Sequence, residues 1–323
     1  MKKQTVGIVA HVDAGKTTCI EALLYKSGAI RKLGRVDHRD TIMDCDEQER
    51  NHGITIYAKE GHFDWKDTRF YLIDTPGHVD FSSAMERSLA VLDYAVLVIN
   101  GQDGVQSHTE TIWRCLAYYH IPVIVFINKM DISYLSKEQL LKDLQVKCSD
   151  VCLPFDKDHP TEELSLCSDA LLEEYSKTGT FQQQTVQDVF YERRFFPVFF
   201  GSALKLEGIE ELLNAMQYFS VQRNYPNEFG GKIYKVSLSE KGDRLVHVKL
   251  TGGTLKAKEK IIEEEKVDAI RIYQGGTFET MNEAEAGDVV ALKGLTKFEA
   301  GQGLGFEQDA EKPLLSAFMT YEL

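Results

Sequence analysis

Apolar, β-branched runs recur along the chain at Thr5-Ala10, Phe70-Asp74, Tyr94-Asn100, Val123-Asn128 and Phe196-Gly201, each with the length of a buried strand. Between them the period changes. Ile20, Leu23 and Leu24, then Met85, Leu89 and Leu92, then Ile112, Leu116 and Tyr119, then Ile209, Leu212, Leu213 and Met216 stand mostly three or four residues apart, marking one buried helix face per segment. Strands alternating with helices predict an α/β fold, a doubly wound and mostly parallel sheet with helices on both faces. Ligands of such a sheet sit beyond the carboxyl ends of its strands.

Two stretches break the alternation. Residues 31–51 are polar, charged and without period, so they read as a long functional loop. Residues 148–194 read as an insertion, a solvated helical elaboration with helices near Ala170-Tyr175 and Val186-Arg193. After Phe219 the pattern shifts again. A turn-rich linker from Tyr225 to Gly231 precedes short strand candidates at Lys232-Leu238, Leu245-Leu250, Val267-Tyr273 and Val289-Leu292, with glycine turns at 251–253 and 274–277. This predicts a small β-barrel, in which Glu263, Glu264 and Glu265 form a solvated hairpin tip rather than a metal site. The expected division is 1–224 for the sheet domain and 225–310 for the barrel. Residues 311–323 are apolar and lead toward a third domain, so the chain is expected to be an N-terminal two-domain piece.

A length of 323 residues suits two domains, and a hydrophobic fraction of 43% with 27% charged residues suits a soluble globular protein. No apolar run approaches the roughly 20 residues of a membrane span. Lys2-Lys3 before an apolar stretch resembles a signal peptide only faintly, because His11 and Asp13 interrupt it; the expectation is a cytoplasmic protein without membrane attachment. The six cysteines show no CxxC pair, so reduced thiols are expected. A net charge of −13 argues against a broad basic surface for DNA or other polyanions, while leaving room for local contacts.

Candidate chemistry lies at the strand ends. Ala10, His11, Val12, Asp13, Ala14, Gly15, Lys16 and Thr17, followed by Thr18, fit the phosphate-loop pattern with Ala10 in the place of its first glycine. Backbone N–H groups from Asp13 to Thr17 would cradle α- and β-phosphates at a helix N-terminus, Lys16 would bridge β- and γ-oxygens, and the Thr17 hydroxyl would ligate Mg²⁺. Asp74, Thr75, Pro76, Gly77 and His78 follow the second strand. Asp74 would hold a Mg²⁺-bound water, the Gly77 N–H would reach the γ-phosphate, and His78 is the candidate for positioning the attacking water. Thr55 would give Mg²⁺ a second protein oxygen.

Asn128, Lys129, Met130 and Asp131 would read the base. The Asp131 carboxylate can accept from both N1–H and the 2-amino group of guanine, whereas adenine offers an acceptor at N1 and no amino group. Asn128 would bind the N7 side of the purine or tie this loop to the phosphate loop, and the Lys129 stem would lie on the ring face. Gly201, Ser202, Ala203 and Leu204 would present a backbone N–H to guanine O6. Together these stretches predict a P-loop GTPase sheet that binds GTP or GDP with Mg²⁺.

With those motifs in order, and with stretches such as Glu47-Arg50, Glu86-Leu89, Gly104-Gln106 and Ala286-Val290, the chain resembles the translational GTPases of the elongation factor G type, most closely the ribosomal-protection proteins of tetracycline resistance. The resemblance implies a ribosome-stimulated GTPase in which His78 orders water when the sarcin-ricin loop engages it. It also implies an apolar gate at Val12 and Ile54, and a barrel resting on small-subunit RNA. A monomer is expected. His52 departs from the family pattern by replacing an arginine. By the same resemblance, the domain that displaces tetracycline would lie outside this chain, so the chain alone is not expected to protect a ribosome. Two alternatives stay open: an elongation factor G paralogue driving translocation, and a GTP-controlled binding module whose hydrolysis is incidental.

Overall fold

A computed structural model describes residues 1–34, 41, 59–75, 82–156, 162–239, 241–262 and 265–308. The N-terminal unit contains β1 (Lys2–Ala10), α1 (Lys16–Lys26), β2 (Lys59–Trp65), β3 (Thr68–Asp74), α2 (Ser82–Leu89), β4 (Tyr94–Asn100), α3 (Ser107–Tyr118), β5 (Val123–Asn128), α4 (Lys137–Lys147), β6 (Cys152–Pro154), α5 (Asp169–Thr178), α6 (Gln183–Tyr191), β7 (Phe196–Phe200) and α7 (Ile209–Tyr218). Its sheet runs β2-β3-β1-β4-β5-β7-β6, parallel throughout except for β2, which is antiparallel to β3. The order reverses around β1, which places the crevice of the doubly wound sheet at the end of that strand.

Strands β1, β4 and β5 are apolar on both faces because both faces are covered. On one side Ile20, Leu23 and Leu24 of α1 pack with Leu212, Leu213 and Met216 of α7. On the other, Met85 and Leu89 of α2 meet Ile112 and Leu116 of α3. Each expected strand and each expected helix of this unit is found within a few residues of its predicted bounds.

The 148–194 insertion is more than a solvated elaboration. It carries β6, which extends the sheet beside β7, and its Leu171, Val186 and Phe190 are buried in the same core as α1. The helices at 169–178 and 183–191 match expectation. The three-residue strand was hidden because Cys152-Leu153-Pro154 is too short to show a period and contains a proline, which only an edge position tolerates.

The C-terminal unit consists of β8 (Gly230–Leu238), β9 (Arg244–Gly252), β10 (Thr254–Lys256), β11 (Lys260–Ile262), β12 (Glu265–Lys266), β13 (Ala269–Gln274), β14 (Thr277–Met281), β15 (Glu283–Glu285), β16 (Val289–Lys293) and β17 (Gly303–Gly305). Six of these form an antiparallel sheet, β14-β13-β16-β9-β8-β17, and β10-β15 and β11-β12 pair separately. Its core is Ile233, Val246, Val248, Leu250, Ile270, Val290 and Leu292. Glu265 corrects the hairpin-tip expectation. It is buried and accepts from Thr296 N–H (2.8 Å), the Thr296 hydroxyl (2.5 Å) and Lys297 N–H (3.1 Å), so it pins the loop after β16. Glu263 and Glu264 lie outside the described residues.

The two units share a buried seam. Tyr234, Ile272 and Val289 of the barrel join the apolar cluster of Tyr71, Ile73 and Met85. Around them run polar links: Tyr71 OH donates to Asp288 (2.6 Å), Lys3 pairs with Asp288 (2.6 Å), and Lys249 pairs with Asp93 (2.8 Å).

Candidate nucleotide-binding site

The carboxyl ends of β1, β3, β5 and β7 bring together those sequence-predicted residues that the structure describes. The phosphate loop leaves β1 at Ala10, whose side chain is buried in the core under α1, so a methyl group here fills space rather than obstructing the loop. Ala14 N–H donates to His11 O at 3.2 Å, closing the loop into a turn. Asp13 and Gly15 both adopt positive φ, 62° and 86°. Gly15 is the N-cap of α1 and offers no side chain to its first-turn N–H groups, which leaves those donors, and the positive helix end, for an anion. Lys16 and Thr17 open that helix, with Val12, Thr17 and Thr18 half-buried.

Lys16 reaches across from α1 to β3, where its ammonium donates to Asp74 Oδ1 and to Thr75 O. Asp74 is fully buried and aligned with Ile8 of β1. The Thr75 hydroxyl donates to Ile8 O at 3.0 Å, fixing the exit of β3 against the phosphate loop.

On the other side, Asn128 ends β5. Its Nδ2 donates to Ala14 O (3.0 Å), and its Oδ1 accepts the Ala203 N–H (2.8 Å). Of the two roles open to Asn128, the structure shows the second, a tie between base-reading and phosphate loops. Lys129 turns the chain with φ 61°, Met130 N–H donates to Gly201 O (3.0 Å), and Asp131 follows half-buried, its carboxylate 3.6 Å from Lys205 Nζ. In the loop after β7, Ser202 N–H goes to Glu207 O and Ala203 N–H to Asn128. Leu204 N–H has no partner among the described residues, and its side chain is exposed. Within the stretch 201–204 expected to offer a base carbonyl a donor, the other N–H groups are thus bonded within the protein.

Sequence reasoning missed two contributors. Lys205, one residue past the 201–204 motif, is the cation facing Asp131. Gly101, directly after β4, gives its N–H to Asn128 O (2.8 Å), and a Cβ there would lie 2.9 Å from that oxygen. The Asn-Gly pair at a strand end was the available signal. Thr55, Pro76, Gly77 and His78 lie outside the described residues, as do His52 and Ile54.

A Cβ on Gly15 would stand 2.5 Å from Asn128 Nδ2. Gly15→Ala should therefore combine the roughly 1–2 kcal/mol cost of left-handed backbone with loss of the Asn128 tie, lowering GDP affinity by about tenfold or more. Calorimetric titration with GDP checks this, and unchanged affinity would remove the tie from the account.

The residues present fit a nucleotide and its metal. An open helix N-terminus, a lysine and a buried carboxylate converge, while no cluster of three or more His, Cys, Asp or Glu side chains is found among the described residues. That convergence suits Mg²⁺, which is usually held by one or two protein groups plus phosphates and waters.

The chain is similar to known proteins. Residues 1–220 match the family model described as the elongation factor Tu GTP binding domain. The chain is 36% identical to the tetracycline resistance protein TetP of Clostridium perfringens, across 95% of this chain and 52% of that protein. It is 35% identical to TetO of Campylobacter jejuni (90% and 50%) and 36% identical to TetM from transposon Tn1545 of Enterococcus faecalis (91% and 50%). The chain thus spans about half the length of these curated relatives. A crystal structure of a Thermus thermophilus protein superposes with a TM-score of 0.81 over 97% of this chain and 55% of that one; at 23% identity it shares the fold. With a family match that covers the whole sheet domain and every described loop of the site, the chain belongs to the translational GTPases, the family of the elongation factor Tu GTP-binding domain.

Proposed function

We propose that this chain is the nucleotide-binding and hydrolysing part of a Mg²⁺-dependent, ribosome-stimulated GTPase that, like the relatives named for tetracycline resistance, acts to release the drug from ribosomes. The observation that carries the reading is Asn128, whose one side chain bonds Ala14 of the phosphate loop and Ala203 of the 201–204 turn. It supports a site that reads base and phosphates as one unit. Residues 1–224 act as the GTP-binding domain and 225–310 as the barrel that rests on small-subunit RNA.

In this reading the first-turn N–H groups of α1 hold α- and β-phosphate oxygens, and Lys16 leaves Asp74 and Thr75 O to hold the β- and γ-oxygens. Mg²⁺, held through Thr17, Thr55 and an Asp74-bound water, supplies neutralisation of the charge between those phosphates when bound. Asp131 accepts from the guanine edge and the Leu204 N–H donates to O6. His78 orients the attacking water and acts when the ribosome's sarcin-ricin loop engages it, so GTP gives GDP and phosphate slowly in solution and fast on the ribosome.

Multiple-turnover GTPase of the full-length protein, measured with and without ribosomes alongside tetracycline displacement, tests this. His78→Ala should remove roughly 10²-fold or more of the stimulated rate while GTP affinity holds. Undiminished stimulation in that variant would refute the catalytic role, and stimulation without drug displacement would move the protein to translocation.

A further inference from the structure

Strand β2 stands at the edge of the seven-stranded sheet, paired among the described residues with β3 alone. An edge strand leaves backbone donors and acceptors unpaired, and here the barrel takes them. Gly275 N–H donates to Glu60 O (2.8 Å), and His62 N–H donates to Gln274 Oε1 (2.8 Å). Gln274 and Gly275 lie where β13 turns into β14. His62 Nδ1–H adds a bond to Tyr273 O (3.2 Å), and Tyr234 OH of β8 donates to the buried Glu60 carboxylate (2.6 Å). The Gln274 amide is more than filling. Its Nε2 is buried and without a partner among the described residues, a penalty that an apolar side chain would avoid, so the Oε1 bond to β2 is what the residue contributes.

Strand register carries this contact to the nucleotide loops. Glu60 faces Ile73 across the β2–β3 ladder, and Lys59 faces Asp74, the buried carboxylate that receives the Lys16 ammonium. The barrel grips β3 a second time at Tyr71, three residues before Asp74, where the hydroxyl donates to Asp288 (2.6 Å). Asp288 also pairs with Lys3 of β1, the strand from which the phosphate loop leaves (2.6 Å). A shift of the barrel against the sheet must therefore break these bonds or move the carboxyl end of β3.

We propose that the Gln274-Gly275 turn is a positioning element of the nucleotide site, through which the seating of the barrel on β2 tunes how tightly the site holds a Mg²⁺-bound guanine nucleotide. The inference rests on the GTPase reading, in which Asp74 holds a Mg²⁺-bound water. Gln274 and Tyr234 touch neither nucleotide nor metal in that reading; they act through β2 and its ladder to β3. Such coupling is reciprocal. A partner that draws the barrel away from β2 loosens the Mg²⁺-bound nucleotide, and binding of that nucleotide strengthens the hold of the barrel on β2. The effect is limited by the bonds that transmit it, so each link is worth roughly a three- to tenfold change in affinity.

The test uses the whole chain with Gln274→Ala and Tyr234→Phe, each alone and combined with Asp74→Asn. GDP affinity is measured by calorimetry in Mg²⁺ and in EDTA, and hydrogen exchange of the β3 peptide is followed without nucleotide. In Mg²⁺ each barrel variant should bind GDP roughly three- to tenfold more weakly than wild type, whereas in EDTA the two should bind alike. Exchange at residues 71–74 should quicken in both variants. In the Asp74→Asn background neither barrel substitution should weaken binding further, because the group they position is gone. A purely structural role would instead lower affinity equally in Mg²⁺ and EDTA, and additively with Asp74→Asn; either result overturns the proposal, as do wild-type affinity and exchange in both variants. Wild-type GDP binding that ignores Mg²⁺ would overturn the Mg²⁺ role of Asp74 in the proposed function, and this inference with it, which sets that failure apart from the others.

Discussion

Replacing Asp131 with asparagine should convert a guanine site into one that prefers xanthine nucleotides. In the proposed contact the Asp131 carboxylate, three residues past β5, is an acceptor only, and guanine would present two donors to it, N1–H and the 2-amino group. An asparagine keeps one acceptor for N1–H but turns its N–H toward the amino group of guanine, where donor meets donor. Xanthine carries a carbonyl at that position and accepts the new N–H. A hydrogen bond to a charged group is worth about 1.5–3 kcal/mol, so losing the one to the 2-amino group should weaken GDP binding by roughly 10–10²-fold while XDP binding gains. Lys205 sits 3.6 Å from Asp131 and is more than half exposed, so it can turn to water without adding a large penalty of its own. Competitive calorimetry with GDP, XDP and ADP reads the outcome. A variant that still prefers guanine would remove Asp131 from the base contact.

The sheet domain was legible because burial on both faces forces strands such as Tyr94–Asn100 and Val123–Asn128 into continuous apolar runs that turns and helices punctuate. Strand β2, Lys59-Glu60-Gly61-His62-Phe63-Asp64-Trp65, escaped because an edge strand with one polar face carries a weak and charged pattern. Helix α4 escaped for a different reason. Only Leu140 and Leu144 are buried, but its Ser136-to-Gln139 capping box was present in the sequence and could have marked the start. In the site, the phosphate and base loops were legible from spacing. The choice between roles for Asn128 was not, because it depends on Ala14 and Ala203, far away in the chain and brought close only by the parallel order of β1, β5 and β7. Polar residues that join the two domains were the least legible. Glu60, Asp93 and His247 stand in no motif, and their burial follows from how one folded unit sits on the other.

Asp93 shows how much that seam depends on charge. Its Oδ2 accepts Thr5 N–H at 2.7 Å, and its Oδ1 lies 2.8 Å from both Lys249 Nζ and Arg223 Nε, so one carboxylate joins β1, the barrel and the linker. The two cations differ in what they can do without it. Arg223 is 39% exposed and can be rehydrated, whereas Lys249 is 7% exposed with Val91 O as its other acceptor. Asp93→Ala should therefore strand a buried ammonium, a change that typically costs about 3–5 kcal/mol, and should lower the melting temperature by roughly 6–20 °C. Burial already pulls the Lys249 pKa down from its ordinary value, opposed by Asp93, and loss of the carboxylate lowers it further. A base whose pKa is lower folded than unfolded binds fewer protons when folded, so stability rises with pH up to its unfolded value. The deficit of Asp93→Ala should accordingly shrink between pH 7 and about pH 10, where the unfolded lysine titrates. Adding Lys249→Met should recover much of the loss at pH 7, since an apolar chain of similar length needs no counter-charge. Thermal melts of the four members of this cycle at both pH values decide it. A loss below about 1 kcal/mol, or one that does not change with pH, would show that the seam is held by its apolar contacts and not by Asp93.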